Sequence, residues 1–143
     1  MGLWTQIAYG TLVLGICSAL HLGLIIVSLG PLDRLAQAHR SNNRRHRSTL
    51  LLGAAVFIVL LGHTAQVWIW ASAYLWLDAL EGLEPAIYFA LSNYTTLGYG
   101  DLIVGEDHRV FAAFASVNGM LIFGVSTAYL VGLIGRILPK GLQ

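Results

Sequence analysis

The stretch "SNYTTLGYGDL", Ser92 to Leu102, interrupts a chain that is otherwise almost entirely apolar. It sets Gly98 and Gly100 two residues apart, behind the hydroxyls of Thr95 and Thr96 and ahead of the carboxylate of Asp101. Glycine takes positive φ at little steric cost. Glycines at alternate positions therefore stop a helix and let successive carbonyl oxygens turn toward one side of an extended strand. Such a row of oxygens, with the Thr96 hydroxyl added, can replace the hydration shell of a cation. Irregular backbone at membrane depth is tolerated only where it is buried in protein or lines a water-filled path, so the flanks decide how this segment is read.

The flanks are those of a membrane protein. Of 143 residues, 57% are apolar and 10% charged, and the mean hydropathy is +0.71. A soluble domain carries about 25% charged residues. Three stretches exceed the roughly 20 helical residues that cross a hydrocarbon core: Leu3 to Leu29, Thr49 to Leu77 and Val110 to Leu138. "PAIYFALSNY", Pro85 to Tyr94, is too short to span and reads as a re-entrant helix. Pro85 suits its first turn, where a missing N–H would be unbonded anyway. The first stretch lacks the basic start of a signal peptide and is longer than a signal core, and Gln6 spoils a myristoylation motif, so it is read as a true span. The net charge of +1 argues against nucleic acid. The lone Cys17 has no intrachain partner and reads as a buried, inert thiol.

Arg34, Arg40, Arg44, Arg45 and Arg47 follow the first span, and Arg136 and Lys140 follow the third. By the positive-inside rule both segments are cytoplasmic, which puts the N-terminus and the mouth of the re-entrant segment outside and the C-terminus inside. The basic connection is either a topology signal alone or a helix lying on anionic lipid. The outer connection carries Asp78, Glu81, Glu84, Asp101, Glu106 and Asp107. This is either a solvated face or a field that concentrates cations at the mouth.

"TTLGYGD" resembles the signature of the potassium channel superfamily, with Leu97 at its variable aliphatic position. The resemblance runs from about Thr49 to Leu138. "AIYFALSNYTT" looks like the family's pore helix, with aromatics at Tyr88 and Phe89, and "NGMLIFG" sets Gly119 and Gly124 where the inner helix has glycines. It implies a bacterial two-helix pore with an extra N-terminal helix: an all-α membrane protein of three transmembrane helices, a pore helix and a filter loop, in the bacterial inner membrane. On this division residues 1–30 form the peripheral helix, 31–48 a basic cytoplasmic loop and 49–143 the pore unit. The carbonyls of Thr96, Leu97, Gly98 and Tyr99, with the Thr96 hydroxyl, would then coordinate K+. Gly100 would close the outer end, Asp101 would sit at the mouth, and Tyr99 would pack behind the filter. One chain supplies one filter strand, so the family's homotetramer is implied. In one respect the chain departs: where some bacterial members carry a glutamate that braces the filter aspartate, it has Ser92.

Polar residues inside the spans are functional candidates. His21 lies in the first, and His63 and Gln66 share a face of the second. They are either interhelical hydrogen-bonding groups or a pH sensor. Asn118, Ile122 and Ser126 form a stripe that either lines a cavity or packs against the pore helix. Gly119 and Gly124 are either a hinge or close-packing residues. The tryptophans Trp4 and Trp76 suit the headgroup level. No span carries a voltage sensor's spaced arginines, and neither a catalytic constellation nor a metal-ligand cluster beyond the filter appears. The expectation is a channel rather than an enzyme, with K+ as its permeant ion and no cofactor; the alternatives are a weakly selective cation channel and a non-conducting membrane protein that keeps the channel fold for assembly or regulation.

Overall fold

The computed structural model describes residues 1–38 and 44–137. Four helices account for most of them: α1 (Leu3–Ala38), α2 (Arg44–Trp76), α3 (Leu83–Tyr94) and α4 (Arg109–Ile137), the last preceded by a 3₁₀ turn at Glu106–His108. Among the described residues there is no strand. Leu3–Arg34, His46–Trp76 and Glu106–Arg136 are long and apolar enough to cross a membrane. The chain is an all-α, multi-pass membrane protein.

The connection expected as a loop over 31–48 is helical at both ends. α1 runs through Pro31 to Ala38, and α2 begins at Arg44. Pro31 forfeits one helical hydrogen bond, but Leu32 is buried in a cluster with Leu51 and Ala55, which holds the extension against α2. Arg40 and Lys140 lie outside the described residues. α3 starts two residues earlier than its sequence suggested, at Leu83 after Gly82, and Pro85 is still in its first turn.

α1 packs against both α2 and α4 of its own chain. Gly62 permits part of this, because a methyl there would run into the His21 ring and the Leu24 side chain. α3 is wedged between α2 and α4 by an aromatic cluster in which Tyr74 meets Phe89 and Phe111 edge-on, at ring centroid distances of 5.1 and 5.7 Å. Trp70 is fully buried in the same cluster, whereas Trp4 and Trp76 are exposed. The belt reading therefore suits those two and not Trp70.

Among the described residues, the two helices followed by non-helical backbone, α2 and α3, end in the same way. After α2, the Asp78 N–H donates to the Leu75 carbonyl and the Ala79 N–H to that of Tyr74. Asp78 takes φ 51°, the left-handed conformation this termination demands. Aspartate tolerates it better than most residues.

The start of α4 is capped from α1. The buried Gln6 amide oxygen accepts from the backbone N–H groups of Val110 (3.0 Å) and Phe111 (3.3 Å), and its nitrogen donates to the Glu106 carbonyl at 3.5 Å. The N-terminal ammonium lies 3.3 Å from Asp107. These contacts put the N-terminus at the same end of the molecule as the segment after Tyr94. Replacing Gln6 by Ala orphans two helix-start donors, and loss of a cap costs about 0.5–2 kcal/mol. A lowered thermal midpoint in detergent for Gln6→Ala, recovered in Gln6→Glu, is the expected outcome.

Candidate functional site: the segment after α3

α3 closes with two crossed hydrogen bonds. The Thr96 N–H donates to the Asn93 carbonyl at 2.9 Å, and the Leu97 N–H reaches back to that of Ser92 at 2.9 Å. Thr95 is the C-cap, and its hydroxyl donates to the Leu91 carbonyl at 2.8 Å. This pattern needs a left-handed residue at the next position, where glycine is usual. Here that residue is Thr96, at φ 61°. A left-handed conformation costs an L-residue roughly 1–2 kcal/mol, and β-branching makes it a genuine outlier. Strain of this kind persists where the surrounding structure imposes it, and such places cluster at functional sites.

Positive φ then recurs at every second residue: Thr96 at 61°, Gly98 at 50° and Gly100 at 79°, with Leu97 and Tyr99 between them at negative φ. The stretch from Thr95 to Asp101 is exposed throughout, and Tyr99 is 71% exposed. Among the described residues nothing covers Tyr99, so the packing expected behind it is not made within this chain. Beside the segment lies an open cavity of about 380 Å³, lined by Tyr88, Phe89, Asp101, Val104, Ala112 and Ser116.

Asp101 is held by Tyr88, whose hydroxyl donates to a carboxylate oxygen at 2.6 Å. That bond favours the protonated phenol and raises Tyr88 above the ordinary tyrosine range. The brace that Ser92 cannot supply thus comes from one helical turn earlier. Ser92 acts through its carbonyl, which accepts from both Leu97 and, at 3.3 Å, Gly98. Of the other outer acids, Glu106 pairs with Arg109 at 3.4 Å and Asp107 with the N-terminus.

Gly119 is a close-packing residue. A methyl on it would collide with the Tyr94 carbonyl, so its absence lets α4 lie against the last turn of α3. The Ser116 hydroxyl, nearly one turn away, donates to the Asn93 carbonyl at 2.8 Å. Nothing would obstruct a methyl at Gly124.

The stripe Asn118, Ile122 and Ser126 is buried. It faces neither an open cavity nor α3 alone, which corrects both sequence readings. Asn118 donates to the Gln66 amide oxygen at 2.7 Å, and Gln66 donates to His21 at 2.9 Å. Ser126 lies 2.9 Å from His21 and 3.2 Å from His63, and His63 lies 2.8 Å from the Tyr94 hydroxyl. One polar chain thus joins all four helices. The open face of α4 runs instead through Ala113, Val117, Met120, Gly124, Thr127 and Val131.

Sequence reasoning missed Tyr88 as a brace, Tyr94 as an anchor and Gln6 as a cap. Only Gln6 gave a signal, as an amide in an apolar helix.

A family model described as "Ion channel" matches residues 48–136, more than half of the chain. The chain belongs to this ion channel family. It is also similar to the voltage-gated potassium channel Kch of Escherichia coli (strain K12), at 33% identity over 58 residues, which is 40% of this chain and 14% of that protein. The match therefore spans a small part of that relative's length. No solved structure matches the chain.

Two substitutions test the local geometry. Gly119→Ala overpacks the α3–α4 contact, a change that typically costs about 1–3 kcal/mol, and it is expected to lower thermal stability where Gly124→Ala does not. Tyr88→Phe frees Asp101. It is expected to reduce sustained ion flux several-fold with unchanged helix content by circular dichroism.

Proposed function

We propose that the protein is a potassium-selective channel that conducts K+ passively across a bacterial plasma membrane. The observation that carries this reading is the alternation of φ from Thr96 to Gly100. When neighbouring residues occupy left- and right-handed conformations in turn, successive peptide planes bring their carbonyl oxygens to the same side. The oxygens of Thr96, Leu97, Gly98 and Tyr99 then form a ladder suited to a dehydrated cation. The similarity to a potassium channel supports K+ as that cation.

A single ladder cannot ring an ion, so the reading requires a homotetramer with the filter on its axis. Three features support it. The segment stands exposed in the isolated chain, and Tyr99 projects without a partner beside a cavity large enough for a neighbour's ring. The open apolar face of α4 is available to line the cavity below. α3 ends at the filter, and the negative end of its dipole favours a cation there. Arg34, Arg47 and Arg136 lie at the helix ends away from the filter, which supports a filter mouth outside and a C-terminus in the cytoplasm.

Flux measured in liposomes tests the reading. K+ is expected to move while Na+ does not, and Gly98→Ala is expected to abolish K+ flux, because alanine at positive φ is strained and turns the carbonyl away. Equal K+ and Na+ rates would contradict selectivity. The absence of flux of either ion would contradict conduction.

A further inference from the structure

We propose that the polar chain through His21 and His63 positions the filter by way of Tyr94 and makes conduction sensitive to acid, with His63 as the residue that takes up the proton. This inference rests on the channel reading above. It follows from where the hydrogens have to lie.

The Gln66 amide nitrogen lies 3.4 Å from the Gly62 carbonyl, which can only accept. That fixes the orientation of the amide. Its nitrogen therefore also donates to His21 Nδ1, and its oxygen accepts from Asn118 Nδ2. His21 Nδ1 carries no hydrogen, so the neutral ring is protonated on Nε2 and donates to the Ser126 hydroxyl. Ser126 keeps its own hydrogen for His63 Nε2. His63 is then protonated on Nδ1 and donates to the Tyr94 hydroxyl. Each member donates to the next, from α4 through α2, α1, α4 and α2 to α3. Hydrogen bonds aligned in this way polarise one another, by roughly 10–30% per bond. The chain ends on the residue just before the Thr95–Thr96 turn that opens the filter.

The two histidines respond differently to a second proton. On His21 it would set an N–H against the Gln66 amide nitrogen. Turning that amide to relieve it sets the amide oxygen against the Gly62 carbonyl and requires Asn118, whose Oδ1 has no partner, to turn as well. A second proton on His21 therefore needs two buried amides to turn, whereas one on His63 needs only a hydroxyl to rotate. On His63 the proton enters at Nε2, and the Ser126 hydroxyl rotates to accept from both rings. The Ser126 link reverses, and a charge appears between helices.

The groups around that charge are few. From α1, His21 lies 5.2 Å away between ring centroids. The Cys17 thiol shares the core cluster with Tyr94. From α3 there is Tyr94, and from α4 come Ser126 and the Phe123 ring, stacked at 4.5 Å. Among the described hydrogen bonds and ion pairs, no carboxylate reaches either ring. An uncompensated charge among packed helices loosens the α2–α3–α4 junction that holds Tyr94, so acid lowers flux.

The test is K+ flux through the full-length protein in liposomes, from about pH 8 to about pH 5, the range in which histidine titrates. Wild-type flux is expected to fall by roughly fivefold or more over the range in which histidine changes charge. His63→Gln keeps a donor and an acceptor but does not ionise, and its flux is expected to stay flat. His21→Gln is expected to keep the acid response. A response that survives in His63→Gln, or one lost only in His21→Gln, overturns the proposal. Nitrogen-15 NMR of histidine-labelled wild-type protein in lipid, near pH 8, tests it without any variant. The expected tautomers are Nε2–H for His21 and Nδ1–H for His63, and matching tautomers would overturn it. Absence of wild-type flux at every pH would sink the channel reading, while the tautomer measurement would still decide this one.

Discussion

Backbone outside a helix has nowhere to place its polar groups inside a bilayer unless protein or a water path receives them. The segment from Thr95 to Gly105 meets that constraint from both ends. At its start, the N–H groups of Thr96, Leu97 and Gly98 are turned back onto the last carbonyls of α3. At its far end, the 3₁₀ turn and Gln6 receive the chain as it enters α4. What remains between is the exposed segment of alternating φ, whose carbonyls, on the proposed channel reading, are received by an ion. The strained φ of Thr96 belongs to this arrangement, because the same conformation closes α3 and begins the alternation.

The remainder of the fold serves to keep that segment in place. Gly119 and Ser116 press α4 onto the end of α3, the aromatic cluster wedges α3 against α2, and Tyr88 ties down Asp101. The polar chain adds specificity. Each buried polar group left unpaired would cost about 1–3 kcal/mol, so Asn118, Gln66, His21, Ser126, His63 and Tyr94 favour one mutual arrangement of the four helices. α1, which lies outside the minimal two-helix pore pattern, contributes His21 to that chain and Gln6 to the cap of α4.

The three long apolar helices, the short helix α3 and the non-helical segment after it were legible because hydropathy and glycine spacing are local signals. Helix ends were less so: the continuation of α1 past Pro31 depends on Leu32 packing against a helix that the sequence does not place. His63 and Gln66 were correctly put on one face, yet their partners come from three other helices, and no spacing rule brings residues 21, 94, 118 and 126 together. The stripe at Asn118 was visible as a stripe, but which side of α4 meets protein depends on where α1 packs. Ser92, standing where the family's bracing glutamate would be, marked the missing brace of Asp101 but not its replacement, the tyrosine one turn earlier.

The proposed conduction requires carbonyl oxygens of assembled protomers to take the place of water around a monovalent cation. Anomalous scattering from thallium, a K+ substitute, in crystals of the assembled protein tests it most directly. A row of ion peaks is expected on a fourfold axis, each within coordinating distance of the carbonyls of residues 96–99. Carbonyls splayed away from the axis with no ion between them, or a protomer without a central conduit, would contradict it.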